Sequence, residues 1–436
     1  MASAPQPGTG PPNVPSVDDF YVPAYRVSLK GKGQPINGSP QAYIARDVIS
    51  VTFHDSLTDV DSVDLVVNNW DPGEPVQGKA VQGKFRYHNS DVFDPWQDIE
   101  VSMGYYRQGK ADLQTMLVGQ IASMSPTFPA SGGSTLTVRA LSLLQRFRVK
   151  QWTKQFDPTK TDSEIADEIV KHINADAKKI FPKINIQIPP TEVAANKANE
   201  KPVGYLEIHN QYPIIFLLQR SRDIGYDISV EDSVDANTGI RNVTLHYRSS
   251  ASVPRPTYAL QWGKNLISFL PTLQTARQVN AVTVKGWNVQ TKKAISQTAT
   301  RADLAKDKDS HKLVAPEDLG VDDSKAADTV EIVVDRGFKN PDEAKKVALK
   351  TLRQLAQGLV TAKGKTIGLP ELRAGSKVNI YIAPLDLDST GQNPPPPLTD
   401  RFSGVYQVTE TTHTISDSGY TTDFSCRMEA RIKKSA

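Results

Sequence analysis

The sequence predicts a mainly β protein with an α+β module: two antiparallel β units joined by a mixed α/β domain. Three observations lead there. Near residues 97–142, Ile99, Val101, Met103 and Tyr105 alternate with polar neighbours, the glycine-bearing run Leu117-Val118-Gly119-Gln120-Ile121 follows, and Leu136-Thr137-Val138-Arg139-Ala140 alternates again. Near residues 376–430 the order returns: Val378, Ile380 and Ile382 alternate, a long loop leads to Phe402-Ser403-Gly404-Val405-Tyr406, and Thr422, Phe424, Cys426 and Met428 alternate. Between the two, apolar spacing shifts to a helical period. Alternation with period two marks half-buried strands with one face on a core. Two antiparallel meanders can also look alike by chance, and pattern alone leaves duplication and coincidence both open.

The elements follow in order. Residues 1–17 hold five prolines and two glycines with little apolar content, which predicts an extended arm ordered only against a partner. Strand-like runs come next at Tyr25–Leu29, Ile49–Phe53 and Val63–Val67, the last broken by the turn sequence Asn68-Asn69-Trp70-Asp71-Pro72-Gly73. Thr161-Asp162-Ser163-Glu164 fits a capping box, with Ile165, Ile169 and Ile173 at helical spacing behind it. A second helix starts at Pro213 and stops near Gly225. Tyr226–Val230 and Val243–Tyr247 read as strands, and so do Val279–Val284 and Val330–Val334. Residues 301–328 mix both charge signs and read as a solvated linker or flexible insertion. Asn340-Pro341-Asp342-Glu343 opens a helix whose buried stripe is Ala344, Val347, Ala348, Thr351 and Leu355, ended by Gly358. The loop 384–400 contains four consecutive prolines, which favour a stiff polyproline II stretch.

Composition narrows the classes. The 436 residues suffice for two to four domains with real cores. Hydrophobic content of 38% and a mean hydropathy of −0.41 predict a soluble chain. No apolar run approaches the ~20 residues of a membrane span; the longest is Ile214–Leu218. The first residues lack the basic region and apolar stretch of a signal peptide, so none is expected. With 51 basic against 48 acidic residues, no nucleic-acid-specific binding is expected. The single cysteine, Cys426, cannot form an internal disulfide and reads as a small buried apolar residue. This cysteine poverty fits synthesis in a reducing compartment.

Few residues fall into a pattern that carries chemistry. Gly364-Lys365-Thr366 resembles the end of a phosphate-binding loop, but the motif needs a glycine at 359, where Leu359 stands, and a preceding strand where a helix is expected. The expected role is a helix-exit loop leading to a strand. The histidines His54, His88, His172, His209, His246, His311 and His413 show no metal-ligand spacing, and no Gly-x-Ser-x-Gly elbow occurs. His413, between Thr412 and Thr414, reads as a hydrogen-bonded structural side chain, with a site role as the alternative. Carboxylates cluster at Asp55–Asp64 and Glu317–Asp323, and acids on β-turns are expected to be solvated rather than paired across a cleft. No catalytic, cofactor-binding, metal-binding or partner-binding residue is assigned, and no cofactor is expected.

Taken in order, the chain resembles the phage late-control D family of tail or baseplate hub proteins, relatives of the hub portion of type VI secretion spikes. The resemblance is carried by Val48–Phe53 with the Asp-rich Asp55–Asp64, by Val63–Asn69, by Ile99-Glu100-Val101-Ser102-Met103-Gly104-Tyr105, and by Val118-Gly119-Gln120-Ile121 leading to Pro126-Thr127-Phe128-Pro129. It continues through Thr161, Ile165 and Ala166, Ile215-Phe216-Leu217, Ile224-Gly225-Tyr226 and Val282–Trp287. Gly368–Gly375, Phe402–Val408, His413 and Gly419–Phe424 complete it.

The resemblance implies two tail-tube-like antiparallel β-barrel domains joined by the mixed α/β domain. Residues 1–19 would be the proline-rich arm, 20–150 the first barrel and 151–235 the α/β module. Residues 236–436 would be the second barrel, with the charged insertion 301–328 and the helix 341–357. It also implies a homotrimer with a central channel, whose six barrels match a six-fold tube. Tail tube or tube-initiator proteins would contact one side, a separate trimeric spike protein the other, and baseplate proteins the periphery. A separate spike is expected because the sequence ends at Ala436, just after the last barrel strand. The protein would be made in the bacterial cytoplasm and become part of a phage tail or injection-system particle. Two other functions compete: a tail-associated cell-wall-degrading enzyme, which needs a His/Cys or paired-acid constellation, and a carbohydrate- or receptor-binding β protein. The latter favours clustered exposed aromatics, whereas Trp70, Trp96, Trp152, Trp262 and Trp287 are scattered along the chain.

Overall fold

The computed structural model describes residues 22–31, 34–35, 46–73, 83–107, 110–148, 150–180, 183–235, 237–253, 258–288, 291–306, 313–320, 329–334, 341–382 and 400–431. The proline-rich arm, the proline loop, Asn340 and His311 lie outside the described residues. The first unit contains β1 (Val22–Gly31), β2 (Gln34–Pro35), β3 (Val48–Ser56), β4 (Ser62–Asn68), β5 (Trp70–Asp71), β6 (Lys84–Phe85), β7 (Asp98–Arg107), β8 (Lys110–Thr127) and β9 (Thr135–Ser142). A mixed region follows with β10 (Trp152–Gln155), α1 (Asp162–Ile180), β11 (Ile184–Gln187), α2 (Pro190–Lys197), β12 (Glu207–Gln211), α3 (Pro213–Ile224), β13 (Tyr226–Val234) and β14 (Arg241–Ser249). The second unit opens with β15 (Tyr258–Gln261) and β16 (Leu266–Leu273). It is interrupted by β17 (Ala281–Asn288), β18 (Lys293–Thr300), α4 (Arg301–Lys306), β19 (Val330–Val334) and α5 (Pro341–Gln357). It closes with β20 (Val360–Ile367), β21 (Lys377–Tyr381), β22 (Gly404–Ser416) and β23 (Gly419–Arg431).

The two β units are halves of one curled 13-stranded sheet, each around its own apolar core. Their strand orders match: β1-β7-β8-β9-β4-β3 in the first and β15-β21-β22-β23-β20-β16 in the second. The registers match too. Trp96 N and Ile121 N bond Ile121 O and Gln97 O, as Gly375 N and Val408 N bond Val408 O and Ser376 O. Trp96 and Gly375 both sit at positive φ, 75° and 87°. Both middle strands then bulge against their partners, between Ile121 and Ser123 and between Val408 and Glu410. Both first-paired strands bulge as well, between Val48 and Ser50 and between Leu266 and Ser268. A bulge is a specific two-against-one defect, so its repetition at equivalent positions argues for duplication over coincidence. The copies differ at one edge, where β1 runs antiparallel to β7 but β15 runs parallel to β21.

This alignment corrects two readings. Gly119 and Gly404, which made the middle strands look alike, are not equivalent: Gly119 pairs with Ile99, whose counterpart Val378 pairs with Tyr406. Gly364-Lys365-Thr366 is not a helix-exit loop but lies inside β20. Gly364 faces Phe424 where the first unit sets Leu65 against Val138. A Cβ on Gly364 would stand 2.4 Å from the Phe424 ring. The glycine exists because its cross-strand partner fills both shares of the core.

The mixed region packs α1, α2 and α3 around the sheet β11-β14-β13. Thr161 and Glu164 make the expected reciprocal cap: Thr161 N bonds Glu164 Oε2 at 3.0 Å and Glu164 N bonds Thr161 Oγ1 at 3.4 Å. α3 starts at Pro213 and is capped by Gly225 in the left-handed region, φ 77°. The sheet's central strand is β14, so pairing runs past the expected boundary at 235. The insertion carries a further small core, in which Ala344, Ala348 and Leu352 of α5 cover Val282 and Val284 of β17. The described residues within 301–328 are not simply solvated, because Leu304 is buried in that core and Val314 and Leu319 in the second unit's core.

Gly364→Ala should destabilise the protein by about 1–3 kcal/mol through overpacking against Phe424. Leu65→Ala should cost about 2–5 kcal/mol by opening a cavity at the equivalent position. Urea midpoints for both variants test this pair.

Candidate functional site

Alternation along eight adjacent strands, β16-β20-β23-β22-β3-β4-β9-β8, turns one face to the two cores and leaves the other accessible. Residues paired across strands share a face. The accessible face therefore carries Ser268, Leu270 and Thr272, Thr361, Lys363 and Lys365, Asp423 and Ser425, and Glu410, Thr412 and Thr414. It continues through Ser50, Thr52 and His54, Asp64, Thr137 and Arg139, and Ser123, Ser125 and Thr127. At roughly 4.8 Å per strand the face is about 35–40 Å across.

Its charges are balanced. Lys365 Nζ donates to Asp423 Oδ2 at 3.3 Å. Arg139 reaches Asp64 at 3.6 Å and donates to Ser62 Oγ at 3.3 Å. His54 bridges the two units, its Nδ1 lying 3.1 Å from Thr412 Oγ1 and its Nε2 3.8 Å from Asp64. Burial lowers the His54 pKa, with Asp64 pulling the other way. The result is a hydroxyl-rich wall with balanced charges and no dominant sign.

The wall is unbroken because β22 pairs directly with β3, Glu410 opposite Ser56 through Ser416 opposite Ser50. Behind this joint sits a buried ion cluster. Arg373 Nε donates to Asp55 Oδ2 at 2.6 Å, and Ala374 N to the same oxygen at 2.9 Å. Arg373 Nη2 donates to Val230 O at 3.2 Å and stands 3.8 Å from Asp61. The guanidinium lies 4.6 Å above the Phe53 ring centre, a favourable cation–π arrangement. Asp232 of β13 accepts from Val118 N at 2.8 Å. Both units and the mixed region thus meet around one arginine. The expectation that Asp55–Asp64 is solvated is wrong at Asp55 and Asp61, which are buried for this purpose. The two do not face each other across an open cleft.

His413 is fully buried beside this cluster. Its Nε2 donates to Leu372 O at 3.0 Å, and its Nδ1 accepts from the Tyr420 and Thr422 hydroxyls, each at 3.1 Å. Burial and then Arg373 push its pKa down to about 3, so it is a neutral structural crosspiece, as expected from the sequence. Cys426 is buried, and burial raises its thiol pKa. His246 pairs with Glu192 at 2.9 Å, far along the chain from His54 and His413. Among the described residues no three His, Cys, Asp or Glu side chains are placed to hold a metal ion, and no helix is long and apolar enough to cross a membrane. The structure does gather one exposed aromatic group that linear spacing hid: Phe85 lies within 5.2 Å of both Trp70 and Phe128, centre to centre. Arg373 was missed as a site residue; its signal was the sole arginine in Gly368–Gly375 together with the unexplained Asp55–Asp64 run.

Two substitutions probe the cluster. Arg373→Leu leaves buried carboxylates without their cation and should cost about 3–5 kcal/mol. Burial pushes Asp232 up to about 7, against the pull of the Val118 N–H and Arg373. A raised carboxyl stabilises the fold below its unfolded value, and that stability is lost as pH rises through about 7. Asp232→Asn should therefore gain on the wild type by up to about 4 kcal/mol between pH 4 and pH 8. Calorimetric unfolding at several pH values measures the difference; a constant gap across that range would exclude Asp232 as its source.

No protein-family model and no curated protein sequence matches the chain. Solved structures do. The 43 kDa tail protein of prophage MuSo2 from Shewanella oneidensis aligns with TM-score 0.58 and 14% identity, over 93% of this chain and 99% of that one. A tail protein from Neisseria meningitidis aligns with TM-score 0.56 and 14% identity, over 94% of this chain and 97% of that one. A type VI secretion component of E. coli aligns more loosely, with TM-score 0.47 and 10% identity, over 94% of this chain and 77% of that one. The chain therefore shares, over nearly its whole length, the fold of phage tail proteins, which bears out at the level of fold the resemblance drawn from its sequence.

Proposed function

We propose that this protein is the structural hub of a contractile tail or injection-system baseplate. In that role it acts as a homotrimer that adapts a six-fold tail tube to a separate trimeric spike. The observation that carries the proposal is the duplicated unit with one continuous polar wall. Two equivalent units per chain give three chains six similar positions around an axis, and homo-oligomers close by rotation. The wall then becomes the lining of a central passage, and the two cores lie behind it. Tail tube proteins and a spike would contact opposite rims, and other baseplate proteins the outside of the ring. The protein would reside in the assembled particle. We assign no catalytic activity; the buried ionisable groups around Arg373, namely Asp61, Asp232 and His413, are built into the joint between the units rather than aimed into a cleft.

The exposed group of Trp70, Phe85 and Phe128 favours one second reading, a carbohydrate- or receptor-binding surface. Its rings meet edge to face at angles of 67° and 78°, whereas sugar recognition uses an open ring face.

Light scattering on the full-length protein should give three times the 47.8 kDa chain mass. Truncation near residue 370 removes β21, β22 and β23 and should abolish the trimer. A chain that is monomeric at every concentration and absent from purified particles defeats the hub reading. A muralytic assay should be negative, and cell-wall hydrolysis would favour the enzyme alternative.

A further inference from the structure

The β22–β3 joint inside the chain has a second counterpart, unfilled among the described residues. In the duplicated alignment β8 is the equivalent of β22, and β16 is the equivalent of β3. On the side of β8 where β22 receives β3, the pairing with the preceding strand ends at Ile121, and Ser123–Thr127 have no strand beside them among the described residues. β16 ends the path of the sheet, paired only with β20 among named strands.

Side chains at the two edges carry the same message. Ile415 belongs to the second unit's β22, yet it is buried in the first unit's core. Its equivalent Phe128 is 58% exposed. Leu270, which replaces Thr52, is 70% exposed on the free edge β16. Apolar side chains stand out at both edges where the internal joint buries or pairs their counterparts.

We propose that β16 of one copy docks beside residues 123–128, the end of β8 and the residue after it, in the next copy, repeating the β22–β3 joint between chains. This assignment rests on the trimeric hub reading and names the surfaces that close the ring. Carrying the internal register across sets Thr127 opposite Leu270, Ser125 opposite Thr272, and Phe128 opposite Phe269 in the neighbour's second core.

Pro126 and Pro271 share one rung in this register. They take the positions of His413 and Phe53, which face each other in the internal joint. Leu57 N bonds Thr409 O there, and bonded rungs alternate along an antiparallel pair, so the His413–Phe53 rung is a bonded one. Neither proline can donate at this rung. Each guards its free edge against stray strands, as edge prolines do. In the proposed register both fall on a single rung, which then carries no hydrogen bond while the neighbouring bonded rungs stay whole; a register slipped by two places instead removes one bond from each of two rungs.

Cysteine pairs in the full-length protein test this. Thr127→Cys with Leu270→Cys, on a non-bonded rung where side chains approach closely, should oxidise to covalent species of two and three chains and no larger. Ser125→Cys with Thr272→Cys should do the same, which covers the case in which one pair disturbs folding. Either single variant should give no bridged species, and mixing two complementary singles should give dimers only. The mismatched pair Thr127→Cys with Thr272→Cys should bridge at least tenfold less. Thr52→Cys with Thr414→Cys, within one chain, is the positive control. If the unmodified protein is trimeric and neither interchain pair bridges, the ring closes through other surfaces and this inference falls while the hub reading stands. If the protein never trimerises, both fall.

Discussion

Arg373 is the interaction on which the rest of the structure depends. Three elements that could fold around separate cores converge on its guanidinium: β3 of the first unit through Asp55, the mixed region through the Val230 carbonyl, and its own loop in the second unit. Burying ions is costly, and a buried ion cluster seldom outperforms a well-packed apolar one in stability. It does fix geometry. An apolar contact tolerates sliding, whereas a guanidinium held by a carboxylate, a carbonyl and an aromatic face has one position. The two β units are thereby set in the single register that keeps the polar wall continuous.

The duplication shows how a core position is conserved as a pair rather than as a residue. Leu65 and Val138 in the first unit become Gly364 and Phe424 in the second. Each pair fills one layer, but the division of volume between the two strands is entirely different. Close packing constrains the total and leaves the shares free. For that reason sequence identity between the units is faint while their bulges and hydrogen-bond registers coincide.

The same logic separates what was legible in the sequence from what was not. Alternation at Ile99–Tyr105 or Thr422–Met428 announces a half-buried strand, and the Thr161–Glu164 box announces a helix start, because both signals are local. Partnership is not local. Nothing in the period of β22 states that one part of it pairs with β21 and the rest with β3, more than 350 residues away in sequence. The small helix Pro190–Lys197 escaped notice because its eight residues show almost no amphipathic contrast. Asp55 and Asp61 looked like turn acids because their cation comes from Arg373, over 300 residues on. Gly364 imitated a phosphate loop because a glycine required by a neighbouring ring cannot be told from one required by a ligand until that neighbour is known.

The short hydroxyl side chains of the wall also bear on friction. Serine and threonine rotate their O–H groups at little cost and serve as donor or acceptor in turn, so water held at one strand is readily handed to the next. Balanced charges remove deep electrostatic wells. A body moving along such a surface exchanges one set of water contacts for an equal set at every step. Its free energy stays nearly level over the whole path, and the direction of travel is left to whatever pushes from behind.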